Sequence, residues 1–318
     1  MALVDISHGQ SVVTLNVNGQ VLSLTPSDLW QVVDVVKAYV CDNSLEFSEV
    51  PSIVIQIGEL QFRVAATANF RFWSDVGQGR WEPNTFQILE KFLRSDTHYV
   101  DVGAWIGPTL LFAAQLAASS IAFEPDPIAF RELTANVGLN CDEDWFASVD
   151  IRNQAVSSQV GVMKLGSRGG GGDSMSSAFY SSEDTSWEVG TTTLEMLIEE
   201  QGLTGKQLFV KMDIEGGEYD LVPKLRRFFS ESDVDLYLSV HPNLWLDRLS
   251  SNGGDSFLTR IRRRFRFAWA HANLAWHLPF RRLLHSDGRD IRFAELYVKP
   301  LLLGVFPWEI MATNRSDV

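Results

Sequence analysis

Apolar and polar positions follow two spacings along this chain, and each predicts a different element. Val13, Leu15 and Val17 alternate with polar residues, Asn18-Gly19 supplies a positive-φ turn, and Val21 to Leu24 returns; this predicts a hairpin over 11–24. Thr25-Pro26-Ser27 then caps a stretch of helical period running to about Val40. Residues 52–65 predict two further short strands broken at Gly58-Glu59. From Trp81 onward, strand-length apolar runs alternate with amphipathic helical stretches, the mark of a mostly parallel sheet covered on both faces. Strands are expected over 99–103, 120–123, 149–153, 208–213, 234–241 and 266–270, with a last one over 303–312. Helices are expected over 108–118, 127–139, 193–201, 217–229 and roughly 256–264. The Gly- and Ser-rich stretch 167–187, with four glycines at 169–172, is expected as a linker or as a lid over a site. The expected class is α/β: a Rossmann-like, mostly parallel sheet with helices on both faces over 79–318, and a small α+β appendage over 1–78.

Composition narrows the partners. The chain has 318 residues, 45 % of them hydrophobic, enough for one large core with or without a smaller unit. A net charge of −13 makes a nucleic-acid backbone an unfavourable partner. The basic run Arg260, Arg262, Arg263, Arg264, Arg266, followed by Arg281 and Arg282, reads as a solvated helix end, with binding of an anionic substrate group as the alternative. Cys41 and Cys141 show neither metal spacing nor a disulfide framework. With no basic-then-apolar N-terminus and no bilayer-length apolar run, the expectation is a cytoplasmic protein without a membrane partner. The pattern does not speak to oligomeric state.

The densest chemistry lies in His98-Tyr99-Val100-Asp101-Val102-Gly103-Ala104-Trp105-Ile106-Gly107, followed by Phe123-Glu124-Pro125-Asp126. This is a strand, a glycine turn, a helix and a second strand ending in an acid. Such a unit places backbone N–H groups and a hydroxyl-binding carboxylate at one crevice. Glu124 is suited to accept hydrogen bonds from ribose hydroxyls, and Asn153 and Gln154, past the third strand, to reach a base edge. The turn is G-x-x-x-G and lacks the G-x-G-x-x-G of a dinucleotide site. A nucleoside with a cationic, phosphate-free tail suits the acids Asp101, Glu124, Asp126, Asp213 and Glu215. S-adenosylmethionine answers that description.

These stretches resemble the FkbM family of S-adenosylmethionine-dependent methyltransferases. Val100 to Gly107 is similar to its glycine motif, and Ile121 to Pro127 to its acidic motif. Asn136-Val137-Gly138-Leu139-Asn140 and Asn153-Gln154-Ala155-Val156-Ser157 also fit. Leu208-Phe209-Val210-Lys211-Met212-Asp213-Ile214-Glu215-Gly216-Gly217-Glu218 resembles the family's K-I-D-V-E-G-A-E signature, and Leu238-Ser239-Val240-His241-Pro242 its closing strand. Trp105 stands where the family commonly has Asn, Gly217 where it has Ala, and Ser239 where an acid often precedes the His. The resemblance implies a class I methyltransferase fold that methylates hydroxyl groups on sugars, glycans or related small molecules. The cofactor-binding residues it points to are Asp101, Gly103, Ala104, Trp105, Gly107, Glu124, Pro125, Asn153, Gln154 and Asp213.

For catalysis, Asp213, Glu215, Glu218 and His241 are expected at the tips of two adjacent strands. An alcohol is a poor nucleophile until its proton leaves, and His241 is the first candidate base because an unperturbed imidazole titrates near operating pH. Asp213 and Glu215 then orient it or the substrate. The alternative is a divalent cation, Mg²⁺ or Mn²⁺, held by Asp213, Glu215 and His241. His271 and His277, with Trp269 and Trp276, are either an acceptor pocket or ordinary half-buried side chains. Trp81 and Glu82 precede the helix leading into the first strand, and sequence gives only weak reason to face them toward a cofactor. Two readings from other classes stay open: a nicotinamide-dependent oxidoreductase on a similar sheet, and a non-catalytic S-adenosylmethionine-binding protein.

Overall fold

The computed structural model describes residues 13–17, 20–24, 52–66, 69–166, 186–242 and 257–316. In chain order its strands are β1 (Val13–Val17), β2 (Gln20–Leu24), β3 (Ser52–Ile57), β4 (Leu60–Ala65), β5 (His98–Val102), β6 (Ser119–Phe123) and β7 (Val149–Arg152). There follow β8 (Ala155–Val156), β9 (Gly161–Gly166), β10 (Ser186–Thr192), β11 (Leu208–Met212), β12 (Val234–Ser239), β13 (Arg282–Leu284) and β14 (Glu309–Thr313). The main sheet runs β13-β14-β12-β11-β5-β6-β7. β7, β6, β5, β11 and β12 are parallel, while β14 inserts antiparallel to both β12 and β13. Strand order reverses between β5 and β11, so a crevice opens beyond their carboxyl ends.

The sheet is buried on both faces, which is why its central strands are continuous apolar runs. Val100, Val102, Val210, Met212, Leu236 and Leu238 point into one core. Tyr99, Phe209 and Tyr237, one residue out of phase, point into the other. That second core is closed by the β3–β4 hairpin and helix Phe70–Gly77, through Ile53, Ile55, Phe62, Val64 and Trp73. Two asparagines fasten the hairpin. The Ala65 N–H donates to Asn136 Oδ1 and the Arg63 N–H to Asn140 Oδ1, each at 2.8 Å. Asn136 Nδ2 also donates to the Ile106 carbonyl at 2.8 Å, tying β4 to the glycine turn through helix Pro127–Gly138. Residues 52–66 and 69–77 thus share a core with the parallel sheet.

The two hairpins and strands β5, β6, β7, β11 and β12 lie where the sequence places them. The helix expected to follow Thr25 and most of the 167–187 stretch fall outside the described residues. Three expectations need correction. Residues 266–270 are the interior of a helix, Phe257–Trp276. Phe265, Phe267 and Trp269 alternate like a strand, but the buried residues Phe267, Ala270, His271 and Leu274 keep helical spacing. The strand flanking β14 is β13, at 282–284, and β14 itself begins only at Glu309. The expected helix over 217–229 is two pieces, Glu218–Leu221 and Arg226–Glu231, with Pro223 between them. The sequence carried no expectation for β8, β9 and β10, which form a second small sheet with β10 antiparallel to β9 and parallel to β8.

Candidate active site

A cavity of about 290 Å³ opens at the carboxyl ends of β5, β6 and β11. The turn Gly103-Ala104-Trp105 forms one side. Phe72, Trp81 and Trp105 make an aromatic wall, with Phe72 edge-on to Trp81 at 5.0 Å and to Trp105 at 4.6 Å between ring centroids. Met163 and Leu165 of β9 close the side toward the small sheet. Its charged lining is Glu82, Glu124, Lys211, Asp213, Glu215 and His241.

Gly103 has φ +89°, and a Cβ there would lie 2.0 Å from the Asp213 carbonyl oxygen. The glycine therefore lets the end of β5 press against the end of β11, and its job is set by the fold before any ligand. Gly107, φ +95°, would place a Cβ 2.7 Å from Leu133 Cδ1. It permits close approach of the helix carrying Leu133 and, although the sequence placed it among the cofactor-binding residues, it is not part of the cavity wall.

Glu124 is buried at the tip of β6. Its Oε2 accepts the Trp105 N–H at 2.8 Å and its Oε1 the Asp126 N–H at 2.7 Å. Burial pushes this carboxyl up to about 8, against the pull of those two backbone donors. A carboxylate has about four lone-pair sites, so two remain for a ligand diol. Asp126 turns away and caps helix Pro127–Gly138 through the N–H groups of Ile128 and Ala129. Pro125 and Gln154 line the cavity. Asn153 does not; its Nδ2 donates to the Glu124 carbonyl at 2.8 Å and braces the loop from behind.

Asp101 was expected to face the cationic tail, but it is fully buried beneath the cavity. It accepts from the Tyr99 hydroxyl at 2.9 Å and from Thr109 Oγ1 at 2.8 Å. Directly across the ladder stands Lys211, whose Nζ lies 3.5 Å from both Asp101 Oδ1 and Asp213 Oδ2. Burial works against the Lys211 ammonium, yet the charges of Asp101, Asp213 and Glu82 outweigh it and raise its pKa.

His241, just past β12, comes together with Asp213 and Glu215 as the sequence suggests. Its Nδ1 lies 3.0 Å from Glu218 Oε1, and its Nε2 lies 3.4 Å from Asp213 Oδ1 and 3.7 Å from Glu215 Oε2. Burial disfavours the charged ring, but the Glu218 bond and the charges of Glu218, Asp213 and Glu215 push it up to about 9. The ring thus carries a proton at neutral pH, contrary to the unperturbed value assumed from sequence. His271, by contrast, is fully buried, hydrogen-bonded to the Tyr219 hydroxyl at 2.7 Å and the Phe267 carbonyl at 2.6 Å. Trp269 and Trp276 are 69 % and 70 % exposed on the far side of that helix. They do not form a pocket with it.

Sequence reasoning missed the β9 wall, the Phe72–Trp81–Trp105 cluster and Lys211. It also missed a backbone signature. Among the described residues three non-glycines have positive φ, Glu82 (39°), Trp105 (50°) and Glu215 (51°), and all three line this cavity. Conformations of that kind cost free energy and collect at functional sites.

The sheet order, the antiparallel insertion of β14 and the glycine-turn crevice at the order reversal define a class I methyltransferase fold. The FkbM methyltransferase domain profile matches residues 101–263, half of the chain. The chain belongs to the FkbM methyltransferase family. Among solved structures it is similar to the methyltransferase FkbM from Methylobacillus flagellatus, with 16 % identity, TM-score 0.36, and 67 % of this chain and 49 % of that one covered. This chain therefore spans about half the length of that relative. Pyrococcus horikoshii TYW2, in complex with MeSAdo, is similar at 15 % identity and TM-score 0.30, with 80 % and 79 % covered. A search of curated proteins gave no match. Among the described residues no helix is long and apolar enough to cross a membrane.

Proposed function

We propose that this protein transfers a methyl group from S-adenosylmethionine to a hydroxyl oxygen of a sugar-containing or related small molecule. The observation carrying this reading is the cluster of Asp213, Glu215 and His241 on the wall of the cavity whose other end is Glu124. The donor set fits a cationic nucleoside: four lining carboxylates face one lysine and one imidazole, and Glu124 keeps lone pairs for a ribose diol. Gly103, Ala104 and Trp105 present the turn along which such a ligand lies, Pro125 and Gln154 flank the base end, and Asp213 borders both regions.

The bound donor supplies an electrophilic methyl group on sulfur. The chain supplies position and proton management. Alignment of an acceptor with such a group is worth up to about 7–11 kcal/mol of barrier. Glu218 holds His241 by Nδ1 and leaves Nε2 directed at the space between Asp213 and Glu215. In its neutral form that nitrogen accepts the hydroxyl proton, and the adjacent carboxylates stabilise the imidazolium that results. General-base assistance of this kind contributes typically about 10²–10⁴-fold.

One observation favours a second reading. Donor atoms of Asp213, Glu215 and His241 lie within 4.8 Å of one another. An Nδ1–carboxylate bond is the usual outer support of a metal-bound imidazole. Mg²⁺ or Mn²⁺, were it held by Asp213, Glu215 and His241, would lower the pKa of an acceptor hydroxyl directly. Methyl-labelled donor incubated with defined glycosides and glycans, with and without chelator, tests both. Label on a sugar oxygen is expected. Label on carbon or nitrogen, or binding of the donor without turnover on any acceptor, overturns the hydroxyl assignment, and loss on chelation selects the metal.

A further inference from the structure

Glu82 is a charged group of the cavity wall at the start of a helix. Its backbone sits at φ 39°, ψ 51° immediately before helix Pro83–Phe92. A residue that only started the helix would gain from an extended conformation and a side-chain cap, and Glu82 has neither. The left-handed turn instead directs its carboxylate into the cavity. There Oε2 accepts from Thr85 Oγ1 at 3.1 Å, and that hydroxyl is in turn 3.0 Å from the Tyr237 hydroxyl. Thr85 and Tyr237 are both fully buried, so the carboxylate is pinned from behind by the helix and by β12.

The charges around it are otherwise matched. Lys211 is shared by Asp101 and Asp213, His241 by Asp213, Glu215 and Glu218, and Glu124 is held by two N–H groups. Among the described residues no cation comes within 4.0 Å of Glu82. Burial and the Asp213 charge accordingly push its carboxyl up to about 7, with Lys211 opposing them. A half-desolvated acid with a neutral hydroxyl as partner is completed by a ligand cation able to donate hydrogen bonds.

Resting on the donor assignment above, we infer that Glu82 binds the α-ammonium of the methyl donor's amino-acid end. The placement agrees with the fold. Glu124 ends β6 on one side of the Gly103–Trp105 turn, while Glu82 faces Lys211 of β11 and Tyr237 of β12 on the other. A nucleoside gripped by its ribose at Glu124 therefore extends its tail across the glycine turn toward Glu82. A sulfonium has no N–H or O–H to donate, so an acceptor pinned in this way suits the ammonium.

Calorimetry on the full chain separates the ends of the ligand. The wild type is titrated with S-adenosylhomocysteine, with its analogue lacking only the amino group, and with 5′-methylthioadenosine, which lacks the whole amino-acid end. Glu82→Gln is expected to weaken S-adenosylhomocysteine about 10- to 100-fold. The same variant should leave the other two ligands within about twofold, a factor worth well under 1 kcal/mol. Unchanged affinity for S-adenosylhomocysteine, or an equal loss for all three ligands, overturns the inference, the second because it marks a purely structural residue. Thr85→Val, which removes the pinning hydroxyl, should reproduce the selective loss if Glu82→Gln does not fold. A wild type that binds none of the three overturns the donor assignment itself.

Discussion

Glu218 Oε1 stands 3.0 Å from His241 Nδ1, and the glutamate is completely buried. The same oxygen accepts the Ile214 N–H at 3.1 Å, so this one carboxylate fixes both the imidazole and the loop that follows β11. An acid near a helix start needs no such partner to be favourable, since the dipole alone welcomes it. Here it sets the charge and the tautomer of the candidate base.

Replacing Glu218 by Gln removes the strongest influence raising the imidazole pKa. The His241 titration, followed by NMR of its ring carbons, should move down from about 9 toward the ordinary value of 6.5. The alkaline-rising limb of methyl transfer should move with it. A limb that stays near pH 9 while the ring titration shifts would remove His241 from the proton-accepting role.

Stability should also depend on pH through this residue. Its folded pKa, about 9, exceeds the ordinary 6.5, so its contribution is complete below about pH 6.5 and disappears as pH climbs through 9. The thermal midpoint is therefore expected to fall between pH 7 and 9.5, and His241→Gln should flatten that decline. Glu82 and Glu124, raised to about 7 and about 8, act in the same direction. Comparison with the variant isolates the imidazole.

Glu124→Ala should weaken S-adenosylhomocysteine binding by about 1–3 kcal/mol, the usual cost of leaving buried polar groups without their hydrogen-bond partner. It also removes the carboxyl oxygens that accept the Trp105 and Asp126 N–H groups, so the ligand-free protein should melt earlier. Paired calorimetry and melting curves check both effects. Unaltered affinity takes the acid out of the ribose site.

Gly103→Ala should damage the fold as well as the site. A Cβ at 2.0 Å from the Asp213 carbonyl forces the β5 and β11 ends apart, at a positive φ that alanine resists. Together these are expected to cost at least about 2 kcal/mol. Urea unfolding without ligand measures it, and an unshifted midpoint would mean the strand ends yield freely.

Much of the parallel sheet was readable because its strands are apolar on both faces, and Gly103, Glu124 and the 208–218 signature marked the crevice. What stayed hidden was hidden for physical reasons. Phe265 to Ala270 satisfies a period of two as well as a helical one, and only packing of Phe267 and Leu274 decides between them. Asp101 lies in a glycine motif, yet register places it opposite Lys211, and that pairing draws the carboxylate beneath the cavity. Asn153 has the right position in the chain and the wrong direction in space. The Met163–Leu165 wall depends on β9 meeting β10 across the glycine-rich stretch, a long-range pairing that local periodicity does not encode. His241 was located correctly, but its titration is governed by three acids whose convergence is a property of the fold.

The left-handed turns at Glu82, Trp105 and Glu215 set resilience against activity. Glycine at any of the three would relax the backbone while deleting a side chain that faces the ligand. At Trp105 that relief, about 1–2 kcal/mol, is smaller than the packing an aromatic wall residue loses, so selection for heat tolerance alone should drift toward glycine at Glu82 and Glu215 only, at the expense of activity. Selection under limiting methyl donor should hold all three unchanged.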